Sequence, residues 1–363
     1  MPAHKPAIVI AAYNRPKSLA RILSSLIKAD YTESAHVSLI ISLDKADNRE
    51  VADLAHAFNW PFGEKRIIER KERLGWPEHA IACGALAEEY GSIILVEDDV
   101  YLSPHFYTYA TQALDYYAED ETIAGISLYA LRVNENAAIP LPFYPLEDGY
   151  DVFFLQKSFI GNCAMTLSQW RQFIQWRRSR PQPISAEDDL PSRILSWPET
   201  SLSKYFIKYL VELRRYIVFP RTSLSANFGD TGVHVQATRI FQVPLAISTK
   251  LWRFTSIRES LSVYDAFHEV IPDRLNALCS CFSAYDYVVD LYGTRDLNKV
   301  RAPYVLTTRR PGRFLHSFGR ELIPMELNVI ETVPGEGIWF CEREALRETR
   351  QEHDRKRRHV RRE

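Results

Sequence analysis

Ser92-Ile93-Ile94-Leu95-Val96-Glu97-Asp98-Asp99 is the stretch on which the reading of this chain turns. An uncharged run of strand type, set off by Gly91 before it and by acids after it, reads as a strand buried on both faces, the habit of a central strand in a parallel sheet. Three carboxylates follow at once. In an open parallel sheet, ligands bind beyond the carboxyl ends of the strands, because loops and helix amino termini converge there. Repulsion and lost hydration make three clustered acids costly unless a cation or hydrogen-bond donors compensate. Hard oxygen ligands of this kind suit Mg²⁺ or Mn²⁺ bridging to a diphosphate. Capping of the next helix would explain one acid and not three, and Pro104 places that helix several residues later.

Upstream of this run, apolar bursts alternate with helical patterns, the signature of strands joined by crossover helices. Ala7 to Ala12 reads as a first strand, and Pro16 opens a helix through Ile27 with Leu19, Ile22, Leu23 and Leu26 on one face. Strands are expected at Val37 to Leu43 and Lys65 to Glu69, and helices near Glu50 to Phe58 and over Glu78 to Tyr90. Downstream, a helix from Pro104 to Tyr117 and a strand from Ile123 to Tyr129 continue the pattern. The Pro-rich stretch Asn134 to Tyr150 reads as a loop over a cleft. Helices are expected at Ser168 to Arg178 and Leu202 to Arg214. Past about Lys250 the alternation is lost, leaving short strands at Tyr285 to Leu291 and Tyr304 to Thr308. The expected organisation is a large domain over 1–245, with a nucleotide half to about 130 and an acceptor half beyond it, then a small region over 246–341 and a charged helical tail over 342–363.

Composition bounds the function classes. A hydrophobic share of 46% with 25% charged residues is that of a chain able to bury a sizeable core. A formal net charge of −1 argues against a protein built to hold nucleic acid, which needs a basic excess. The five cysteines, Cys83, Cys163, Cys279, Cys281 and Cys341, show no zinc-type pairing and read as reduced core thiols. No leader pattern opens the sequence and no segment approaches the ~20 apolar residues that span a bilayer, so a cytoplasmic protein is expected. The tail's Arg355-Lys356-Arg357-Arg358 makes it a candidate for peripheral contact with anionic lipid at the inner face of the membrane, although no apolar stripe accompanies it.

Two further strand ends carry polar chemistry. Ala11-Ala12-Tyr13-Asn14-Arg15-Pro16 offers small residues for close approach, a ring for stacking and a cation for phosphate, yet it would serve equally as a turn. Asp44, at the end of the second strand, could accept from the imide or amide of a base or stand as a solvated loop acid.

Together these pieces resemble the GT-A glycosyltransferases, and Tyr90 to Tyr129 resembles bacterial polysaccharide and capsule-type members. Arg73-Leu74-Gly75 before a helix, Val96-Glu97-Asp98-Asp99-Val100 and Ser103-Pro104-His105-Phe106 are also similar to N-acetylglucosaminyltransferase I. So is Phe219-Pro220-Arg221-Thr222-Ser223 followed by Asn227-Phe228-Gly229-Asp230-Thr231-Gly232-Val233-His234. The resemblance implies an α/β fold of GT-A type, a mostly parallel mixed Rossmann-like sheet flanked by helices. It implies Asp99 as metal ligand, Glu97 and Asp98 on donor sugar and ribose, Asp44 facing the base, and Ala12, Tyr13, Asn14, Arg15 and Arg73 along the nucleotide. His234 would meet the metal or diphosphate.

One departure bears on mechanism. Inverting relatives carry an acid near the start of the helix before Phe219-Pro220, where this chain has Leu202-Ser203-Lys204. Asp188, Asp189 and Asp230 are the substitutes for a catalytic base. The expectation is a Mn²⁺- or Mg²⁺-dependent hexosyl- or N-acetylhexosaminyltransferase, inverting, using a nucleoside-diphosphate sugar and a glycan or lipid-linked acceptor in cell-surface polysaccharide synthesis. The alternatives are a sugar-nucleotide nucleotidyltransferase, against which the lack of a Gly-rich loop after the first strand weighs, and a non-catalytic glycan-binding protein on the same fold.

Overall fold

The computed structural model describes residues 4–32, 34, 36–137, 139–180, 182–231 and 241–346. It divides into two compact units. The first is formed by Met1–Val133, Tyr150–Pro183 and Pro198–Ser256, the second by Asn134–Gly149, Ile184–Trp197 and Ile257–Glu363.

The first unit is built on a mixed sheet. Its strands lie in the order Val152–Leu155, Tyr216–Pro220, Ile123–Ser127, Asn162–Thr166, Ser92–Glu97, Ala7–Ala12, Leu39–Leu43, Lys65–Glu69. The last four are mutually parallel, Ile123–Ser127 is parallel to Tyr216–Pro220, and Asn162–Thr166 and Val152–Leu155 run antiparallel to their neighbours. This is an α/β sheet of strands joined by helices, as the alternation predicts, and mixed, as the resemblance implies. Every residue of Ile93–Val96 is fully buried, as a strand covered on both faces requires. Leu19, Ile22, Leu23 and Leu26 of the Pro16–Ile27 helix are likewise buried, each contributing roughly 1.5–3 kcal/mol by leaving water.

Chain order around Ala7–Ala12 positions the site. From that strand the chain steps outward through Leu39–Leu43 to Lys65–Glu69, then returns to place Ser92–Glu97 on its other side. The order reverses between these two central strands, and such a reversal leaves a crevice at their carboxyl ends. Tyr13 to Arg15 and Glu97 to Asp99 leave the sheet there.

Local details adjust the sequence reading. The expected helix over Glu78 to Tyr90 begins earlier, at Gly75, whose φ of +72° takes the backbone into the glycine region, and it is interrupted after Gly84 before a short turn at Ala87–Tyr90. A Cβ on Gly84 would come within 2.6 Å of the Trp170 ring, so the indole packs against bare backbone. The helix Leu167–Ser179 carrying Trp170 starts in a capping box, Gln169 N donating to Thr166 Oγ1 at 3.2 Å and Thr166 N to Gln169 Oε1 at 3.0 Å.

The second unit holds a four-stranded sheet in the order Tyr287–Asp290, Tyr304–Thr307, Ile338–Glu342, His316–Phe318, with Phe282 and Phe340 stacked at 4.3 Å in its core. Asn134–Gly149 belongs to this unit by its contacts, with Leu146 N donating to Tyr264 Oη at 2.7 Å, so it is packed structure rather than a free loop over a cleft. Cys279 and Cys281 are joined by a disulfide, correcting the expectation of five reduced thiols; the short 3₁₀ turn at Ser280–Phe282 sets their Cα atoms 5.6 Å apart. Cys83, Cys163 and Cys341 are free and buried. Among the described residues no helix is long and apolar enough to cross a membrane. The basic run at Arg355 and nearly all of the tail lie outside the described residues.

Candidate functional site

A cavity of about 790 Å³ opens at the carboxyl ends of the two central strands, lined wholly by residues of the first unit. Ala12, Tyr13, Asn14, Arg15, Asp44, Arg73, Glu97, Asp98, Asp99 and Asp230 all face it.

The acidic turn forms its floor. Glu97 ends the buried strand, and Asp98 and Asp99 form the tight turn into Val100–Leu102. That short strand pairs antiparallel with Ser225–Asn227, and Phe228 N donates to the Asp99 carbonyl at 3.1 Å. The next helix begins only at Phe106 with His105 as its cap, so neither aspartate is a helix cap. Behind the turn, Gly161 accepts from Glu97 N at 2.9 Å, and a Cβ there would sit 2.8 Å from Glu97 Cγ. Lost hydration, reinforced by the charges of Asp99 and Asp98, pushes Glu97 up to about 8; burial pushes Asp98 up to about 6 against the pull of Arg15.

Arg15 spans the two aspartates. One guanidinium nitrogen pairs with Asp98 Oδ1, and the other donates to Asp99 Oδ2 at 2.9 Å. The remaining oxygens, Asp98 Oδ2 and Asp99 Oδ1, are buried and have no hydrogen-bond partner. Orphaned buried anionic oxygens are what a hard divalent cation would satisfy, so the donor set fits Mn²⁺ or Mg²⁺. Among the described residues no group of three His, Cys, Asp or Glu side chains could hold a metal unaided. One or two carboxylates completed by substrate phosphate and water are the ordinary habit of Mg²⁺. His234 lies outside the described residues.

Asp44 has a different occupation from the one expected. Its Oδ1 accepts from Leu74 N at 2.8 Å and Lys45 N at 3.0 Å, and its Oδ2 from Gly75 N at 2.9 Å. A carboxylate has about four acceptor positions, so most of this one holds the Arg73-Leu74-Gly75 loop, leaving about one for a ligand. That loop delivers Arg73 over the Tyr13 ring, 4.3 Å from its centroid, with a further hydrogen bond to the phenol oxygen.

Beside them lies His79, a cavity residue the sequence reading did not single out. Both Arg70 Nε and Nη2 donate to Ser42 Oγ, at 3.3 and 3.2 Å, which leaves the hydroxyl proton for His79 Nε2 at 2.8 Å. The ring is then neutral with its proton on Nδ1. Burial holds His79 down to about 4; the Asp44 charge opposes this and Arg70 adds to it. The unfolded chain therefore takes up this proton before the folded one does as pH falls. Stability from the neutral ring is present above about 6.5 and is lost progressively down to about 4, amounting to roughly 3 kcal/mol. His79→Gln should abolish that component: urea unfolding of variant and parent should converge by about this amount between pH 7 and pH 4. Parallel pH curves would show that the ring carries no such burden.

No protein-family model matches the sequence, and no curated protein matches it. Among solved structures, the chain is similar to TarS 1–349 of S. aureus at a TM-score of 0.39 and 13% identity, covering 61% of this chain and 59% of that one. It is similar to the mannosyltransferase PcManGT from Pyrobaculum calidifontis, in complex with GDP-Man and Mn²⁺, at 0.35 and 11% over 60% of this chain and 58% of that one. The figures for GalNAc-T7 with UDP, GalNAc and Mn²⁺ are 0.41 and 11%, over 61% and 43%. The chain spans less than two thirds of the length of each. Likeness of this degree leaves fold and function to rest on the chain's own sheet order and cavity.

The three substitutes for a base part company. Asp188 and Asp189 fall in the second unit and are not among the cavity residues; Asp188 Oδ2 accepts from Ser185 N at 2.8 Å, closing its own turn. Asp230 does line the cavity, but its carboxylate is tied to Ser18 Oγ at 2.7 Å and to Arg21, whose guanidinium stacks 3.8 Å over Phe228. Burial raises the proton affinity of Asp230, yet the hydrogen bonds from Arg21 and Ser18 outweigh it and hold the group below the usual range.

Glu199 is the carboxylate that sequence reasoning missed. It lines the cavity with its side chain 52% exposed, paired with the buried Lys204 ammonium, while Tyr205 Oη donates to Oε2 at 3.3 Å. The signal was the cap: Ser201 accepts from Lys204 N at 3.3 Å and starts the helix Leu202–Glu212, so an acid just ahead of it projects from the helix mouth.

Proposed function

We propose that the chain is a metal-dependent, inverting nucleotide-sugar glycosyltransferase of GT-A type, moving a sugar from a nucleoside diphosphate to a hydroxyl of a glycan or lipid-linked acceptor. What supports this reading above all is the pair of orphaned buried oxygens on Asp98 and Asp99 at the topological switch point, next to the Tyr13-Asn14-Arg15 turn. A diphosphate brings further negative charge to a cavity whose Asp98 and Asp99 have, among the described residues, only Arg15 to share between them. A divalent cation on Asp99 and Asp98 would neutralise the charge growing on the departing diphosphate.

This chain's residues supply the rest. Tyr13 and Arg73 form a stacked wall for the nucleoside, and Asp44 fixes the loop that carries Arg73. Glu199 takes the proton from the acceptor hydroxyl as its oxygen bonds to the anomeric carbon. The bond from that carbon to the diphosphate oxygen breaks at the same time, and the electron pair leaves with the nucleotide.

A donor panel tests the class. Thermal unfolding with UDP-GlcNAc, UDP-GalNAc or GDP-mannose should show stabilisation by one nucleotide family that requires Mn²⁺ or Mg²⁺ and disappears with chelator. Stabilisation indifferent to metal, or none with any nucleotide, would sink the proposal.

A further inference from the structure

Arg15 lies where two demands meet. Its guanidinium bonds to Asp98 through one nitrogen and to Asp99 through the other, so a single monovalent group neutralises part of a two-carboxylate site. Both aspartates are more than nine-tenths buried, and each keeps one oxygen unserved. A planar guanidinium offers its donors in one fork; it cannot reach around to the far oxygens as a spherical ion with several ligand positions can. The other cations of the cavity are engaged elsewhere, Arg73 with Tyr13 and Arg177 3.8 Å from Glu78.

We infer that Arg15 stands in for the divalent cation in the metal-free protein, competes with it for Asp98 and Asp99, and is released from them when it binds. The inference rests on the metal-dependent reading of the site and deepens it. Without metal, the guanidinium prevents two buried carboxylates from facing each other uncompensated, so the turn keeps its shape. When the metal arrives, it draws the two carboxylates to itself, and its double charge repels the guanidinium at close range. The freed fork, on the turn that leaves the first strand, is then available to the diphosphate. Metal and donor thus favour each other through one side chain that changes partners.

The test uses Mn²⁺ alone, without nucleotide, on the full chain. Free Mn²⁺ is followed by its electron paramagnetic resonance signal for the parent, Arg15→Ala and Arg15→Lys, and thermal unfolding is recorded alongside. Removing the competitor should tighten Mn²⁺ binding on the order of 10-fold in Arg15→Ala, with Arg15→Lys in between. Arg15→Ala should also unfold at lower temperature than the parent without metal, the gap closing as Mn²⁺ is added. Equal or weaker Mn²⁺ binding by both variants, while the parent still binds nucleoside diphosphate with Mn²⁺, overturns the inference and leaves the metal reading intact. No Mn²⁺ binding by any of the three, even with nucleoside diphosphate, brings down the metal reading and the inference together. If Arg15→Ala does not fold, Arg15→Lys decides, because it keeps the charge and loses the two-carboxylate bridge.

Discussion

Asp99→Ala should lower metal-dependent nucleotide affinity by on the order of 100-fold or more while the protein stays folded. The two halves of that expectation come from different atoms of one residue. The carboxylate contributes Oδ1, buried and without a hydrogen bond, and Oδ2, shared with Arg15. The backbone carbonyl accepts from Phe228 N and ties the turn to the strand at Ser225–Asn227. Alanine deletes the first contribution and keeps the second. Removing a carboxylate from a crowded acidic turn also relieves repulsion on Glu97 and Asp98, so the thermal midpoint should change little. Calorimetric titration of the nucleotide found in the donor panel, with and without Mn²⁺, reads the loss, and circular dichroism reads the fold. Retention of full metal-dependent binding by this variant would falsify the assignment of Asp99.

Glu199→Gln should separate binding from turnover. Replacing a general base by its amide keeps its size but removes its charge, one acceptor oxygen and the ability to take the acceptor's proton, an effect of about 10²–10⁴-fold on rate. Donor affinity should stay within about twofold, because nothing places Glu199 against the nucleotide. Steady-state transfer, or the slow hydrolysis in which water replaces the acceptor, measures the rate. Turnover within tenfold of the parent would move the base elsewhere, and Asp230→Asn would be the next variant to make.

Much of the first unit was legible because its signals are local. Ile93 to Val96 announces a doubly covered strand by composition, the stripe from Leu19 to Leu26 announces a helix by period, and Pro16 and Gly91 mark their ends. The lining of the cavity was legible where a strand runs directly into it, as at Tyr13 and at Glu97 to Asp99. It was not legible where a side chain's partners come from another segment. Asp44 looks like a free acceptor until the amides of Leu74 and Gly75, some thirty residues on, are found occupying it. Asp230 looks like a spare acid until Arg21 and Ser18 are seen to hold it. Glu199 stands in a Pro-rich stretch with no period, where the cap at Ser201 is the one local sign of it and the cavity wall the structural one. The second unit was the least legible, since its pieces are brought together by contacts that no periodicity encodes, such as Asn136 Nδ2 to the Ala266 carbonyl at 3.0 Å.

The patchwork of the two units has a consequence for how the chain is made. A ribosome releases the acidic turn after about a hundred residues, yet the strand at Ser225–Asn227 that backs it comes more than a hundred residues later. The first unit is complete only once Ser256 has emerged, and by then Asn134–Gly149 and Ile184–Trp197 are already outside the ribosome, waiting for partners from Ile257 onward. No single cut in the chain yields either unit whole. A fragment chosen by reading along the sequence and stopping near residue 245 would carry two stranded insertions and lack residues 246–256 of its own unit.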